Sequence, residues 1–152
     1  MIINNEVNGS GYRRPVTPMI HVSAVVLNDT AGRVLMVRKR GTGMWMNPGG
    51  KPEPGESGSD CAAREVAEEL RLELERDRLV FLGQFSAPAA NEPGHTVVSL
   101  CFLWPDAVPV SLRPAAEIEA VRWVTPDELG DPTLAPLFVE SIAPRLGGHW
   151  VG

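Results

Sequence analysis

The chain has 152 residues, 43% of them hydrophobic and 22% charged, the make-up of one globular domain and not of a disordered segment. Its net charge of −5, with no basic cluster larger than Arg38-Lys39-Arg40, argues against an extended nucleic-acid polymer as partner. No apolar run reaches the roughly 18 residues of a membrane span, and MIINNEVNGSGYRRP lacks the apolar core of a secretory signal, so a soluble cytoplasmic protein is the expectation.

Residues 1–18 are polar and read as a flexible N-terminal arm, leaving 19–152 as a single domain. HVSAVVL (21–27) and RVLMVRK (33–39) are β-branched strands joined by the turn NDTAG, which predicts a hairpin. The stretch GTGMWMNPGGKPEPGE (41–56) holds enough glycine and proline to predict an irregular loop. A helix is expected over 57–71, with Ser57 and Asp60 spaced as a capping box. Strands follow at 78–85, 95–104 and 119–124, and a helix at 133–146 despite Pro136 and Pro144. Between the last two, Thr125-Pro126-Asp127-Glu128 has the grammar of a helix start. Strands outnumber helices without regular βαβ alternation, so the fold class is α+β, a mixed sheet flanked by helices. Cys61 and Cys101 have no metal or disulfide spacing and read as small buried thiols.

The segment REVAEEL carries the chemistry. On a helix, Glu65, Glu68 and Glu69 fall within about 100° of one another, beside the apolar stripe Ala62, Val66, Leu70. Carboxylates next to a packed surface raise one another's pKa values unless a cation compensates them. Arg64 reaches Glu68 at i+4, which orients one acid without neutralising three. Oxygen ligands without imidazole or thiolate favour Mg²⁺, or Mn²⁺, over zinc. Taken alone, the helix fits a solvated acidic face equally well.

The loop before it changes that balance. Gly50, five residues, Glu56, seven residues, then Arg64-Glu65-Val66-x-Glu68-Glu69 resembles the Nudix box, G-x5-E-x7-R-E-U-x-E-E-x-G-U, where U is bulky and aliphatic. Trp45 and Pro48-Gly49-Gly50 resemble the usual entry to that box. The one departure is Arg71, where the pattern has glycine, so either the arginine takes a left-handed conformation or the helix runs on towards Leu72. The resemblance implies a Nudix-like α/β/α sandwich and a Mg²⁺-dependent hydrolase of nucleoside diphosphate derivatives.

Carried over by position, the resemblance implies Glu68 and Glu69 as main metal ligands, with Glu56 and the carbonyl of Gly49 as further oxygens. It gives Glu65 a place on the metal or in deprotonating the attacking water, and Arg64 the task of holding a glutamate. Glu117 is the first candidate for a further general base, ahead of Glu119 and Glu92, each also readable as a surface acid. Lys51 and Arg38 are candidate phosphate contacts and His95 a candidate substrate contact, with solvated loop or surface residues as the plainer reading of all three. Trp104, Phe102 and Trp123 offer either a stacking surface or core.

The compact length resembles MutT-type nucleoside triphosphate pyrophosphohydrolases. Pro88, 16 residues beyond Leu72, resembles a feature of ADP-ribose-type members and keeps ADP-ribose or a nucleotide sugar as the alternative substrate. A non-catalytic nucleotide-sensing module is the remaining reading, although such modules usually have a degraded box and every acid is kept here. A small nucleotide is therefore the expected partner, with a homodimer as the oligomeric expectation from relatives.

Overall fold

In the computed structural model, residues 5–7, 13–15, 17–147 and 150 are described. Two short strands, β1 (Asn5–Val7) and β2 (Arg13–Pro15), pair antiparallel within the expected arm. The rest of that arm before residue 17 lies outside the described residues, as do 148, 149, 151 and 152.

Ala24, Val25, Val26 and Leu27 are consecutive, apolar and all buried, so their strand must be covered on both faces. That strand, β3 (Met19–Asn28), is central to a mixed sheet with β4 (Val34–Lys39), β5 (Gly49–Gly50), β6 (Val80–Pro88), β7 (Thr96–Ala107) and β8 (Ile118–Val124). The order is β6-β7-β3-β4-β8, with β5 also paired to β3. β3 and β7 run parallel, and every other pairing in this sheet is antiparallel.

The expected hairpin forms at NDTAG. The buried Asp29 carboxylate accepts the backbone N–H groups of Ala31 (3.0 Å) and Arg33 (2.8 Å) and pairs with the Arg33 guanidinium at 2.7 Å. Beyond Asn28↔Val34 the two strands part. β5 enters the gap, placing Gly49 opposite Ala24 and Gly50 opposite Ser23.

The residues alternating along β3 and β4 divide between two cores. Val25, Leu27, Leu35 and Val37 face Ala62, Val66 and Leu70 of the helix α1 (Gly58–Leu70). Ala24, Val26, Val34 and Met36 face Phe138, Ile142 and Leu146 on the other side. The α/β/α sandwich expected from the sequence is thus the observed layering. Phe102 and Trp104 are buried in the first core, the structural one of their two readings. Cys61 and Cys101 are buried free thiols.

Two expectations need correction. The loop 41–56 is not irregular throughout: besides β5, Met46 bridges Val37, and Trp45 bridges Leu134. The glycines permit this, because a Cβ on Gly49 would strike the backbone of Ser23 and Ala24. The last helix is also shorter and wider than expected. It is a π-type segment, Leu137–Ile142, followed by a 3₁₀ turn, Ala143–Arg145. Asp131 instead holds Thr133 through its backbone N–H (2.8 Å) and hydroxyl (2.7 Å). Pro144 has no N–H with which to continue an α-helical ladder.

α1 ends where the box departs from its pattern. Ser57 caps its start, the hydroxyl accepting from the Asp60 N–H at 3.1 Å. At the far end Arg71 takes φ 55° and ψ 34°, the left-handed conformation that glycine prefers, and its N–H donates to Ala67 O at 3.1 Å. Of the two outcomes open to the sequence, the arginine bears the strain, at about 1 kcal/mol.

Candidate active site

Gly49, Gly50 and α1 meet at the place where β3 and β4 part. The one stripe of acids becomes three different environments. Glu69 is 1% exposed; its Oε1 accepts from Gly49 N–H at 2.9 Å, whereas its Oε2, among the described residues, has no partner. Burial pushes this carboxyl up to about 8, against the opposing hydrogen bond from Gly49. Glu65 is partly buried and likewise raised by burial, with the Arg64 guanidinium acting against the rise. Its carboxylate occupies the space that a Cβ on Gly50 would fill. Glu68 is half exposed at the rim.

Arg64 ties these acids to the loop. Its Nε and Nη2 bond both oxygens of Glu56 at 2.8 and 2.9 Å, and Nη1 bonds Glu65 at 3.0 Å and Glu68 at 3.3 Å. Nη2 also donates to the Lys51 carbonyl at 3.0 Å. The guanidinium holds Glu56 well down, to about 2, helped by the Glu53 N–H. Sequence spacing had offered Arg64 one acid; the fold gives it three, because the loop returns Glu56 to the helix.

Among the described residues no three acids converge in metal-binding geometry, since Arg64 holds oxygens of Glu56, Glu65 and Glu68. The donor set nevertheless fits a hard cation. It is all oxygen, it carries excess negative charge, and it includes the unpaired buried oxygen of Glu69. Cys61 is no competing soft ligand. Burial raises its pKa, so it stays a thiol, and it donates to Gly50 O at 3.4 Å.

Beside the acids opens a cavity of about 350 Å³, reaching across the sheet to Leu137 and Phe138. Gly49, Gly50, Lys51 and Glu65 line it, as do Pro88, Glu92 and Glu117. Arg38 and His95 do not. The Arg38 guanidinium donates to Thr42 O and to Glu119, both at 3.0 Å, and lies over the Trp45 ring. His95 sits in the β6–β7 loop, its Nδ1 3.1 Å from the Pro93 carbonyl. Lys39 and Asn47 are among the lining residues that the sequence did not single out. Lys39 stands there, paired with Glu117 at 3.4 Å, and a β-bulge between Arg38 and Lys39 sets it apart from its neighbour. Asn47 is the other; a polar residue between Met46 and Pro48 was its available signal.

The NUDIX domain model matches residues 17–146, nearly the whole described chain. The chain belongs to the Nudix hydrolase family. It is 32% identical over 134 residues to a MutT-like protein of Streptomyces ambofaciens, covering 88% of this chain and 80% of that one. A putative 8-oxo-dGTP diphosphatase of Bacillus subtilis is 26% identical over 104 residues, 59% of this chain and 69% of its own. In fold it is similar to the MutT protein of Methanosarcina mazei Go1, with TM-score 0.72 at 23% identity over 87% of this chain and 96% of that one. As a Nudix pyrophosphohydrolase it acts on small nucleotide-type substrates, and the family generally uses a divalent metal. No helix among the described residues is long and apolar enough to cross a membrane.

Proposed function

We propose that this Nudix hydrolase cleaves a nucleoside triphosphate to the monophosphate and pyrophosphate, using Mg²⁺ or Mn²⁺. The observation that carries the reading is the buried Oε2 of Glu69, without a partner among the described residues, on a carboxylate whose Oε1 accepts from Gly49 N–H and which Glu65 repels. Glu68, Glu69, Glu65, Glu56 and the Gly49 carbonyl would hold the ion. When bound it neutralises phosphate charge and lowers the pKa of a bound water. Arg64 keeps Glu56, Glu65 and Glu68 in register. Lys51 and Lys39, both at the cavity, draw the phosphates in. Glu65 or Glu117 takes the proton of the attacking water; Glu92 also lines the cavity, whereas Glu119 is engaged by Arg38.

The triphosphate is favoured by two relatives, one described as MutT-like and one as a putative 8-oxo-dGTP diphosphatase. ADP-ribose or a nucleotide sugar is the second reading, and the position of Pro88 in the cavity wall is what favours it. The test is a Mg²⁺ or Mn²⁺ hydrolysis screen over nucleoside triphosphates, ADP-ribose and nucleotide sugars, with Glu68→Gln and Glu69→Gln beside the parent. Release of pyrophosphate from triphosphates, lost by about 10²–10⁴-fold in the variants, is the expected result. Release of a monophosphate from ADP-ribose alone selects the second reading. No turnover of any substrate leaves a nucleotide-sensing module.

A further inference from the structure

Arg38 and Lys39 are adjacent in sequence, but the sheet hands them to different acids. Arg38 lies opposite Ala120 of β8 and Lys39 opposite Ile118, so the register passes over Glu119 in a β-bulge. The Arg38 guanidinium takes Glu119 at 3.0 Å, and the Lys39 ammonium takes Glu117 at 3.4 Å. Bulges often re-aim a side chain beside an active site. Here Lys39 and Glu117 line the cavity with Gly50, Lys51 and Glu65, whereas Arg38 and Glu119 do not.

The backbone that carries Glu117 is held on both sides. Ala115 N–H donates to Glu69 O at 2.8 Å, and Arg40 N–H donates to Glu117 O at 2.8 Å. Ala116 between them has φ 54°, a left-handed conformation in a residue with a Cβ. Such strain persists only where the surroundings fix it, and it gathers at functional loops. Glu117 is thus tied at once to the helix of the box glutamates and to the strand of Lys39.

The side chains of the Lys39–Glu117 pair are 32% and 59% exposed, and ion pairs so open to water add little to stability. Its worth lies in where it leaves the ammonium. The charge of Lys39 reaches the acidic centre, where it acts against the rise that burial imposes on Glu65 and Glu69. An ammonium has three donors, so one can stay on Glu117 while the others meet an anion in the cavity. Resting on the reading of Lys39 as a phosphate contact, we propose that Glu117 is a positioning residue: it holds the Lys39 ammonium towards the substrate's phosphates and does not act on the attacking water.

The experiment compares the parent with Glu117→Gln, Lys39→Met, Lys39→Arg and the Glu117→Gln/Lys39→Met double variant. Each is titrated calorimetrically with inorganic pyrophosphate in Mg²⁺ and followed kinetically on nucleoside triphosphates. Lys39→Met is expected to bind pyrophosphate about tenfold more weakly and Glu117→Gln about fivefold, with the double variant no weaker than Lys39→Met. Lys39→Arg keeps the charge and should stay within about threefold of the parent. In turnover Glu117→Gln should raise KM by about fivefold with kcat within about threefold, at the parental melting temperature. A kcat loss of about 10²-fold or more at unchanged KM would overturn the proposal by making Glu117 the base. Additive losses in the double variant, unchanged pyrophosphate affinity in Glu117→Gln, or no pyrophosphate binding by the parent would overturn it too. So would a clear fall in melting temperature with Glu117→Gln, which makes the pair a structural one. Affinities in the expected pattern without triphosphate turnover would sink the triphosphate reading and leave Glu117 in its role. Turnover with pyrophosphate affinity unchanged in Glu117→Gln would do the reverse.

Discussion

The acidic centre and the cavity beside it share Gly49, Gly50 and Glu65, but they handle polar groups in opposite ways. At the centre, Arg64 bonds both oxygens of Glu56 and reaches Glu65 and Glu68 in one fork, and among the described residues Glu69 Oε2 is a buried oxygen without a partner. In the cavity the walls are largely apolar, with Ile20, Val22, Val97, Leu137 and Phe138 among them. The difference teaches where ligand energy must come from. A cation entering the centre competes with bonds the protein already makes, whereas a ring entering the cavity gains by covering apolar wall.

Substitutions can separate the two regions. The largest stability loss is expected on the helix side: Leu70→Ala, under the acids, should cost about 3–4 kcal/mol by urea unfolding. Phe138→Ala, on the cavity side, should cost about 3 kcal/mol but also weaken nucleotide binding, which Leu70→Ala spares more. Equal binding losses would erase the distinction between the regions.

Next in size is Arg64→Ala, which leaves Glu56 and Glu65 without their partner and should cost about 2 kcal/mol in metal-free unfolding. Added Mg²⁺ should recover part of this loss in the variant. A variant as stable as the parent without metal would show that the fork is not what holds the acids.

Glu69 gives the pH dependence. Its pKa in the fold is about 8 against an ordinary 4.5, so between those values the folded state binds more protons than the unfolded one. Metal-free stability should therefore fall as pH rises from 4.5 towards 8, by about 1–2 kcal/mol after allowance for relaxation around the charge. Glu69→Gln should flatten this part of the profile.

The smallest effect belongs to the end of α1. Arg71→Gly relieves a left-handed arginine and should stabilise by about 0.5–1 kcal/mol, with activity unchanged.

The same comparison explains what could be read from the sequence. The acidic centre was legible because its parts lie within one loop and one helix, where fixed spacings decide which residues meet. Even there a helical wheel made Glu68 and Glu69 equals, although packing against the sheet buries one and leaves the other at the rim. The cavity was hard to read because it joins β3, β7, the Asn47 loop and the Leu137–Ile142 segment. The bulge that separates Lys39 from Arg38 leaves no local mark, so the sequence offered Arg38 beside Lys51 as a candidate phosphate contact and passed over Lys39. The late start and early end of the last helix were not visible either: Asp131 holds Thr133 outside it and Pro144 lacks the N–H to extend it, which a count of apolar residues does not see.

The central claim is that the buried carboxyl of Glu69 belongs to a divalent-cation site. The most direct measurement is Mn²⁺ titration of the metal-free protein at pH 7 in two buffers of different ionisation enthalpy, for the parent and Glu69→Gln. The account predicts binding by the parent with release of close to one proton, and binding at least about tenfold weaker without that proton in the variant. Equal affinity and equal proton release in the two proteins would contradict it.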